Sequence, residues 1–457
     1  MNQNSQTNEM GTGSIPKLFL KLAIPAVVAQ VVNLLYNIVD RIYIGHIPEV
    51  GASALTGVGL FSSIMMFITA FSMLAGAGGA PLASIALGKN DKDHAEKIMT
   101  NSFLLLLIFS VILTVVIYIL APTLLTLFGA SEVTLPYAVD YARIYVIGTV
   151  FVLIVTGMNP FVTTQGFAQI AMLTTVIGAA INIVLDPIFI FLFDMGVKGA
   201  ALATVLSQAV GAIWILRFLS GEKTILKLRK ENMKLDPKIF GPTLALGISP
   251  FIMVSTESLL SISFTTSLAK YGGDIAVGAM TIITSINMLV TMPLQGFTQG
   301  GQPIMSYNYG AGNIDRVKKA FFTMFGVCVG YAALFWGLSM LIPNVLASIF
   351  TTDAALAEYA SWAIRIYMAG IFSVGFQLSC QQSFMALGQA KISLFLAFLR
   401  KIILLIPLIF ILPNFFEDKV FGVFVAEPVS DIIAATVTTI AFFTQFKKIM
   451  AQSNKAQ

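Results

Sequence analysis

Two carboxylates, Asp40 and Asp186, stand inside long apolar runs of this chain, and their polar companions fall at helical spacing. In the first run Gln30, Asn33, Asn37 and Asp40 recur every three or four residues, so on a helix they share one face. Asn182 precedes Asp186 by one helical turn, with Pro187 next, and Thr204 and Gln208 repeat that spacing one run later. Ionisable groups at membrane depth are costly and mark ion or substrate paths by default. Two carboxylates, an amide oxygen and a hydroxyl are hard oxygen ligands. Such a set suits a proton or a small hard cation such as Na+, and it lacks the soft ligands that hold transition metals. A carboxylate desolvated in a span can exchange a proton, whereas a bound sodium would keep both acids ionised. The competing reading is that each polar group bonds a neighbouring helix. It fits Asn182 or Thr204 taken singly better than Asp40 and Asp186 taken together.

The second half of the chain carries a different set. Glu257 begins a stripe with Ser261 and Thr265, Arg400 and Lys401 lie in the middle of an apolar run, and Glu427 and Asp431 stand one turn apart. At an offset of 223, Glu427 is the counterpart of Thr204, while "LIP" (405–407) replaces "LDP" (185–187), so no acid answers Asp186. Three acids and two bases form either a static, charge-compensated network or a second functional site, with Glu257 its foremost candidate. Pro25 interrupts the first run. Inside a helix proline removes one backbone hydrogen bond and kinks the axis, which makes it a candidate hinge. Met65, Met66, Met73, Met280, Met288 and Met292 lie on two further runs, as lipid-facing side chains or as a deformable wall for bulky ligands.

The elements that must position these residues are membrane helices. Of 457 residues 57% are hydrophobic and 11% charged, against roughly 25% charged in soluble domains, and the mean hydropathy is +0.87. Twelve apolar runs recur, at about 20–44, 53–80, 101–121, 138–160, 170–194, 199–219, 241–267, 276–304, 320–342, 360–385, 390–412 and 422–446. A hydrocarbon core of ~30 Å takes about 20 residues to cross, and lipid tolerates no open backbone, so each run must be helical. The loops after even-numbered runs hold Lys89, Lys92, Lys97, Lys223, Lys227, Arg229, Lys230, Lys234, Lys238, Arg316, Lys318, Lys319 and Lys391; the opposite loops hold Lys198, Lys270 and Lys419. That bias places both termini in the cytoplasm of a multi-pass protein of the cell inner (plasma) membrane. Residues 1–14 are polar, without the pattern of a removable signal peptide. Gly88-Lys89 lacks the rest of a P-loop, His46 and His94 lie outside the apolar cores, and Cys328 and Cys380 lie within them, away from any disulfide framework.

The halves repeat. "GGAPLASIALGKNDKDHAEK" (78–97) lies over "GGQPIMSYNYGAGNIDRVKK" (300–319) at an offset of 222, and the offset also carries Arg143-Ile144-Tyr145 onto Arg365-Ile366-Tyr367. The hydrophilic stretch 221–240 divides the spans six and six. The expected organisation is an amino-terminal lobe (1–220), a basic linker (221–240), a carboxyl-terminal lobe (241–450) and a short tail (451–457). Parallel repeats of this kind place a substrate site between them.

Twelve spans in two parallel repeats, "NIVDRIYIG" at the end of the first, "GKND" and "GAGN" after the second and eighth, and "INIVLDPIFIF" in the fifth resemble the multidrug and toxic compound extrusion (MATE) family over essentially the whole chain. The resemblance implies an all-α polytopic fold of two six-helix lobes around a central cavity, and antiport of drug against proton or sodium. It implies that Asp40, Asn182, Asp186 and Thr204 form the amino-lobe cation site, that Pro25 is the bending proline of the first span, and that Glu257 is the seventh-span acid of the branch with a carboxyl-lobe sodium site. The tenth span of that branch carries an acid; here it reads "FQLSCQQSFMALG" (376–388). The expected partners are small organic cations and membrane lipid, with no nucleic acid, no cofactor beyond the coupling ion, no enzymatic activity and a functional monomer. The alternatives are a lipid-linked oligosaccharide flippase of the wider superfamily and an intramembrane enzyme with Asp40 and Asp186 as its carboxylate pair.

Overall fold

The computed structural model describes residues 9–455, with side chains as far as residue 449. Residues 1–8 of the polar opening segment and 456–457 of the expected tail lie outside the described residues. Successive helices are α1 Ile15–Gly45, α2 Gly51–Gly88, α3 Lys92–Leu127, α4 (Leu135–Ile147 with Thr149–Thr164), α5 Ala168–Leu192 and α6 Val197–Leu219. After the linker, Pro237–Gly310 runs as one helical segment of 74 residues. It is followed by α9 Ile314–Leu341, α10 Ala354–Ala386, α11 Ala390–Asn414 and α12 Lys419–Ile449, the last helical to Lys455.

Among the described residues ten helices are long and apolar enough to span, or eleven with α4 joined across its 59° bend. The 74-residue segment, counted there once, is two spans in one. Gly273, at φ 66° and ψ −160°, breaks it, in a conformation open to glycine and strained for other residues. Both ends of the segment also meet the same end of α2: Thr243 and Gly247 pack on Gly78, and Tyr307 on Gly88. A straight helix would hold those ends roughly 100 Å apart at 1.5 Å per residue. The chain therefore doubles back at Gly273 into α7 (237–272) and α8 (274–310), which brings the spans to the twelve expected.

The repeat extends to turn chemistry. After α2 the chain turns through Asn90 at φ 61°, and Asp91 N–H donates to Ala86 O at 2.9 Å; after α8 it turns through Gly312 at φ 73°, and Asn313 N–H donates to Asn308 O at 2.9 Å. Gly166 and Gly388, at φ 88° and 70°, close α4 and α10 with the same bond pattern. These are left-handed helix C-caps that satisfy the last carbonyls.

Two hydrophobic clusters form the cores, one drawn from 44–226 and the other chiefly from 260–449. The start of α1 joins the second: Ile15, Leu18, Phe19, Leu22 and Ala23 pack with carboxyl-half residues. Pro25 lies inside α1 just beyond them. The lobes meet along a seam of small residues. A Cβ on Gly88 would lie 2.0 Å from Tyr307 O, one on Gly310 2.0 Å from Ile85 O, one on Gly247 2.0 Å from Leu74 O, and one on Gly300 2.4 Å from Ala23 Cα. Helices in lipid associate by close packing, so small residues mark their contacts. Ser84 Oγ donates across the seam to Pro303 O at 3.2 Å, and Phe67 and Phe71 of α2 pack their rings on Phe251 of α7.

Candidate functional site

Three helices of the amino lobe bring their polar side chains to one place. Asp40 comes from α1, Asn182 and Asp186 from α5, and Thr204 from α6; Asn182 and Asp186 are fully buried, with Thr204 at 3% and Asp40 at 8% exposure. Asn182 holds the group together, because its Nδ2 donates to Asp186 Oδ1 at 3.2 Å and to Thr204 Oγ1 at 3.3 Å. The Asp40 and Asp186 carboxyl groups lie close enough to interact electrostatically. Asp40 Oδ1, Asn182 Oδ1 and Asp186 Oδ2 are buried oxygens without a hydrogen-bond partner. Buried acceptors without donors are costly. Three of them facing a small cluster fit a proton shared by the carboxyls or a hard cation.

Local structure follows from the sequence around each residue. Pro187, next to Asp186, lacks an N–H, and the helix widens at once into a π turn over Ile188–Leu192. Such turns are rare and frequent at functional sites. Gly196, at φ 54°, reverses the chain into α6, and Gly199 lets α6 approach the backbone of Phe189. Gly148, at the bend of α4, has no room for a Cβ against Val205, which draws α4 onto α6.

Of the expected polar stripe on α1, Asp40 alone enters the cluster. Asn33 and Asn37 are exposed, Asn37 Nδ2 donating to Asn33 O at 2.7 Å. Gln30 reaches the other lobe, where its Nε2 donates to Gln299 Oε1 at 3.4 Å. Three tyrosines that the sequence reading passed over complete the surroundings. Tyr36 and Tyr141 lie close to Asp40 and Thr204, and Tyr145 stacks on Tyr141 with ring centroids 6.0 Å apart. Tyr36 falls one turn before Asp40, which was a usable signal. Nothing local marks Tyr141 or Tyr145.

The carboxyl-half charges form a separate network. Arg400 and Lys401 ride on a second π turn, Leu399–Leu405, in α11. Arg400 donates from Nε to Asp431 Oδ1 at 2.8 Å and pairs through Nη2 with Asp431 at 2.7 Å and Glu427 at 3.5 Å. Lys401 pairs with Glu257 and donates to Met253 O at 2.9 Å. Both bases thus meet acids, and α10 contributes the buried amides Gln377 and Gln381. Among the described residues no group of three or more His, Cys, Asp or Glu could hold a metal ion.

Known proteins resemble the chain along its length. The model of the MatE family matches residues 25–188 and 250–411, once in each repeat. The multidrug export protein MepA of Staphylococcus haemolyticus (strain JCSC1435) is 24% identical over 426 residues, 92% of each chain. MepA of Staphylococcus aureus (strain NCTC 8325 / PS 47) is 24% identical over 431 residues, 92% of this chain and 93% of its own. Among solved structures, that of MATE in the bent conformation superposes with a TM-score of 0.91 at 24% identity, covering 98% of this chain and 99% of the other. A MOP superfamily transporter from Pyrococcus furiosus Vc1 (DSM3638) superposes at 0.89 with 24% identity, covering 96% and 98%. The structural likeness establishes the fold; with the family match over most of its length, this multi-pass membrane chain belongs to the MATE family.

Proposed function

We propose that the protein is a secondary active multidrug efflux transporter that exports amphipathic organic cations against protons or sodium by alternating access. The observation that carries this reading is the cluster of buried, unpartnered oxygens on Asp40, Asn182 and Asp186. A carboxyl pair to which no base is hydrogen-bonded, with Arg41 beside it exposed, can gain and lose a cation, unlike the carboxyl-half acids, which pair with Arg400 and Lys401. Asp40, Asn182, Asp186 and Thr204 bind the coupling ion. Its arrival removes the repulsion between the two acids and draws α1 toward α5 and α6. Pro25 is the joint of that movement, since α1 below it packs on the carboxyl core and α1 above it carries Asp40. The names of the staphylococcal relatives, which are multidrug exporters, support the substrate class. Exposed Met66, Phe67 and Met288 provide soft and aromatic contacts that accept bulky cations without fixed geometry. The reading places the protein as a monomer in the cell inner membrane, termini in the cytoplasm, with lipid around it.

The test is efflux of ethidium or a quaternary ammonium dye from vesicles under separately imposed proton and sodium gradients. Efflux driven by either gradient supports the reading and names the ion. Efflux driven by neither, in protein shown to be folded, overturns it.

A further inference from the structure

The chain just before α1 crosses to the opposite lobe and is fastened there. Met10 is 2% exposed, within the carboxyl-half core. Its carbonyl accepts two hydrogen bonds, from Asn308 Nδ2 at 3.0 Å and from Arg316 Nη2 at 3.1 Å. Arg316 also donates through Nε to Asn308 Oδ1 at 2.9 Å, so one guanidinium grips both. Gly11 sits against the Tyr307 ring, and Glu9 pairs with Lys21 at 2.6 Å, which ties the segment back to α1.

The linker before α7 mirrors this arrangement. Buried Gln165 accepts through Oε1 from Thr224 Oγ1 at 2.8 Å, Ile225 N–H at 2.7 Å and Leu226 N–H at 2.8 Å. Glu96, 2% exposed, takes Arg229 Nε at 2.9 Å and Lys227 N–H at 3.1 Å, and Asn101 Oδ1 accepts from Asp236 N–H at 2.9 Å. Each lobe's first helix is thus led in by a strap anchored on the other lobe, and both straps lie at the face where Gly88 and Gly310 close the seam.

We propose that residues 9–13 are a strap that holds this basic-loop face shut and must leave Asn308 and Arg316 when the face opens. The strap joins α1, which carries Asp40 in the amino lobe, to the end of α8 and the start of α9, so separating the lobes here breaks its bonds. The glycine seam adds contact area without a directional tie; the strap adds charge-assisted bonds that are made only while the face is closed. This rests on the alternating-access reading, and a distance measurement tests the strap independently of transport.

Spin labels at His94→Cys and Lys319→Cys, both exposed, report the separation of the lobes at this face, while native Cys328 and Cys380 are fully buried and stay unlabelled. Arg316→Gln should raise the population with the longer separation roughly tenfold, the effect of losing one charged hydrogen bond. A second arm pairs Thr12→Cys with Asp315→Cys, both exposed and leaving Met10, Asn308 and Arg316 in place, and bridges them with a short cleavable reagent. Bridging should stop efflux and cleavage should restore it, while the same bridge between Glu9→Cys and Lys21→Cys, on one side of the strap, should leave efflux intact. The same distance distribution in Arg316→Gln as in the parent, or undiminished efflux from protein bridged between 12 and 315, overturns the proposal; absence of efflux from every form, parent included, would instead count against the transport reading.

Discussion

Asp40 of α1 and Asp186 of α5 bring their carboxyl groups close together, buried in the amino lobe, with no basic side chain among their hydrogen-bond partners. Two such acids cannot both stay ionised side by side without a counter-ion. The pair is therefore suited to take up a proton or a cation.

Asp40→Asn keeps size and hydrogen bonding and removes the exchangeable charge. We expect normal insertion and folding, retained drug binding and at least a tenfold loss of gradient-driven efflux. Asp186→Asn should behave alike. The double variant should be little worse than either single one, because residues acting as a unit give non-additive losses. Dye efflux and drug binding on the same preparations check this; full efflux by Asp40→Asn would move coupling elsewhere, with Glu257 the next residue to test.

Asn182→Ala removes the donor that joins Asp186 to Thr204 and one of the unpartnered oxygens. The site should survive with weaker grip on its ion. The proton or sodium concentration for half-maximal efflux should rise by about tenfold, with a smaller change in the maximal rate. Titrating efflux against each ion separates the two effects.

Asp431→Asn leaves the guanidinium of Arg400, 14% exposed, with Glu427 at 3.5 Å as its remaining acid. Breaking a buried pair from one side costs about 3–5 kcal/mol, so the melting temperature should fall clearly. Arg400→Met with Asp431→Leu and Glu427→Gln, which leaves no unpaired buried charge, should recover much of it. The ion dependence of efflux by the folded fraction should stay at the parent value, as befits a network whose bases are paired with acids. A changed ion dependence would make the network part of the coupling machinery.

Gly88→Ala places a methyl group where Tyr307 O already lies at 2.0 Å from the ideal Cβ. Both partners are backbone, so the helices must move apart. We expect about 1–3 kcal/mol of destabilisation of the closed face, read as faster modification of a cysteine introduced at the seam. Gly59, whose Cβ would meet nothing within 4 Å, is the control, and Gly59→Ala should leave the rate unchanged.

Much of the architecture was legible along the chain because the bilayer makes it so. Run length and hydropathy count spans, as lipid forbids open backbone, and the offset of 222 between "GKND" and "GAGN" already related the turns now seen at Asn90 and Gly312. Spacings of three and four, as in Asn182–Asp186 and Glu427–Asp431, are properties of one helix and need no fold. Even the broken α7–α8 segment was expected as two runs, with Gly272-Gly273 between them.

What the chain by itself left open is everything that depends on which helices touch. Asn33, Asn37 and Asp40 share a face by periodicity, yet only Asp40 meets α5 and α6, because a helix face is wider than a site. Tyr141 and Tyr145 read as apolar filling, and only the packing of α4 onto α6 brings Tyr141 near Thr204. Arg400 and Lys401 looked equally available, and tertiary contact assigned one to Asp431 and Glu427 and the other to Glu257. The strap at Met10 left no sequence signal, since its anchor is a backbone carbonyl, which every residue has. Periodicity and hydropathy are local and survive in one dimension; contact between helices is decided by small residues and backbone shape across hundreds of positions, and that exists only once the chain is folded.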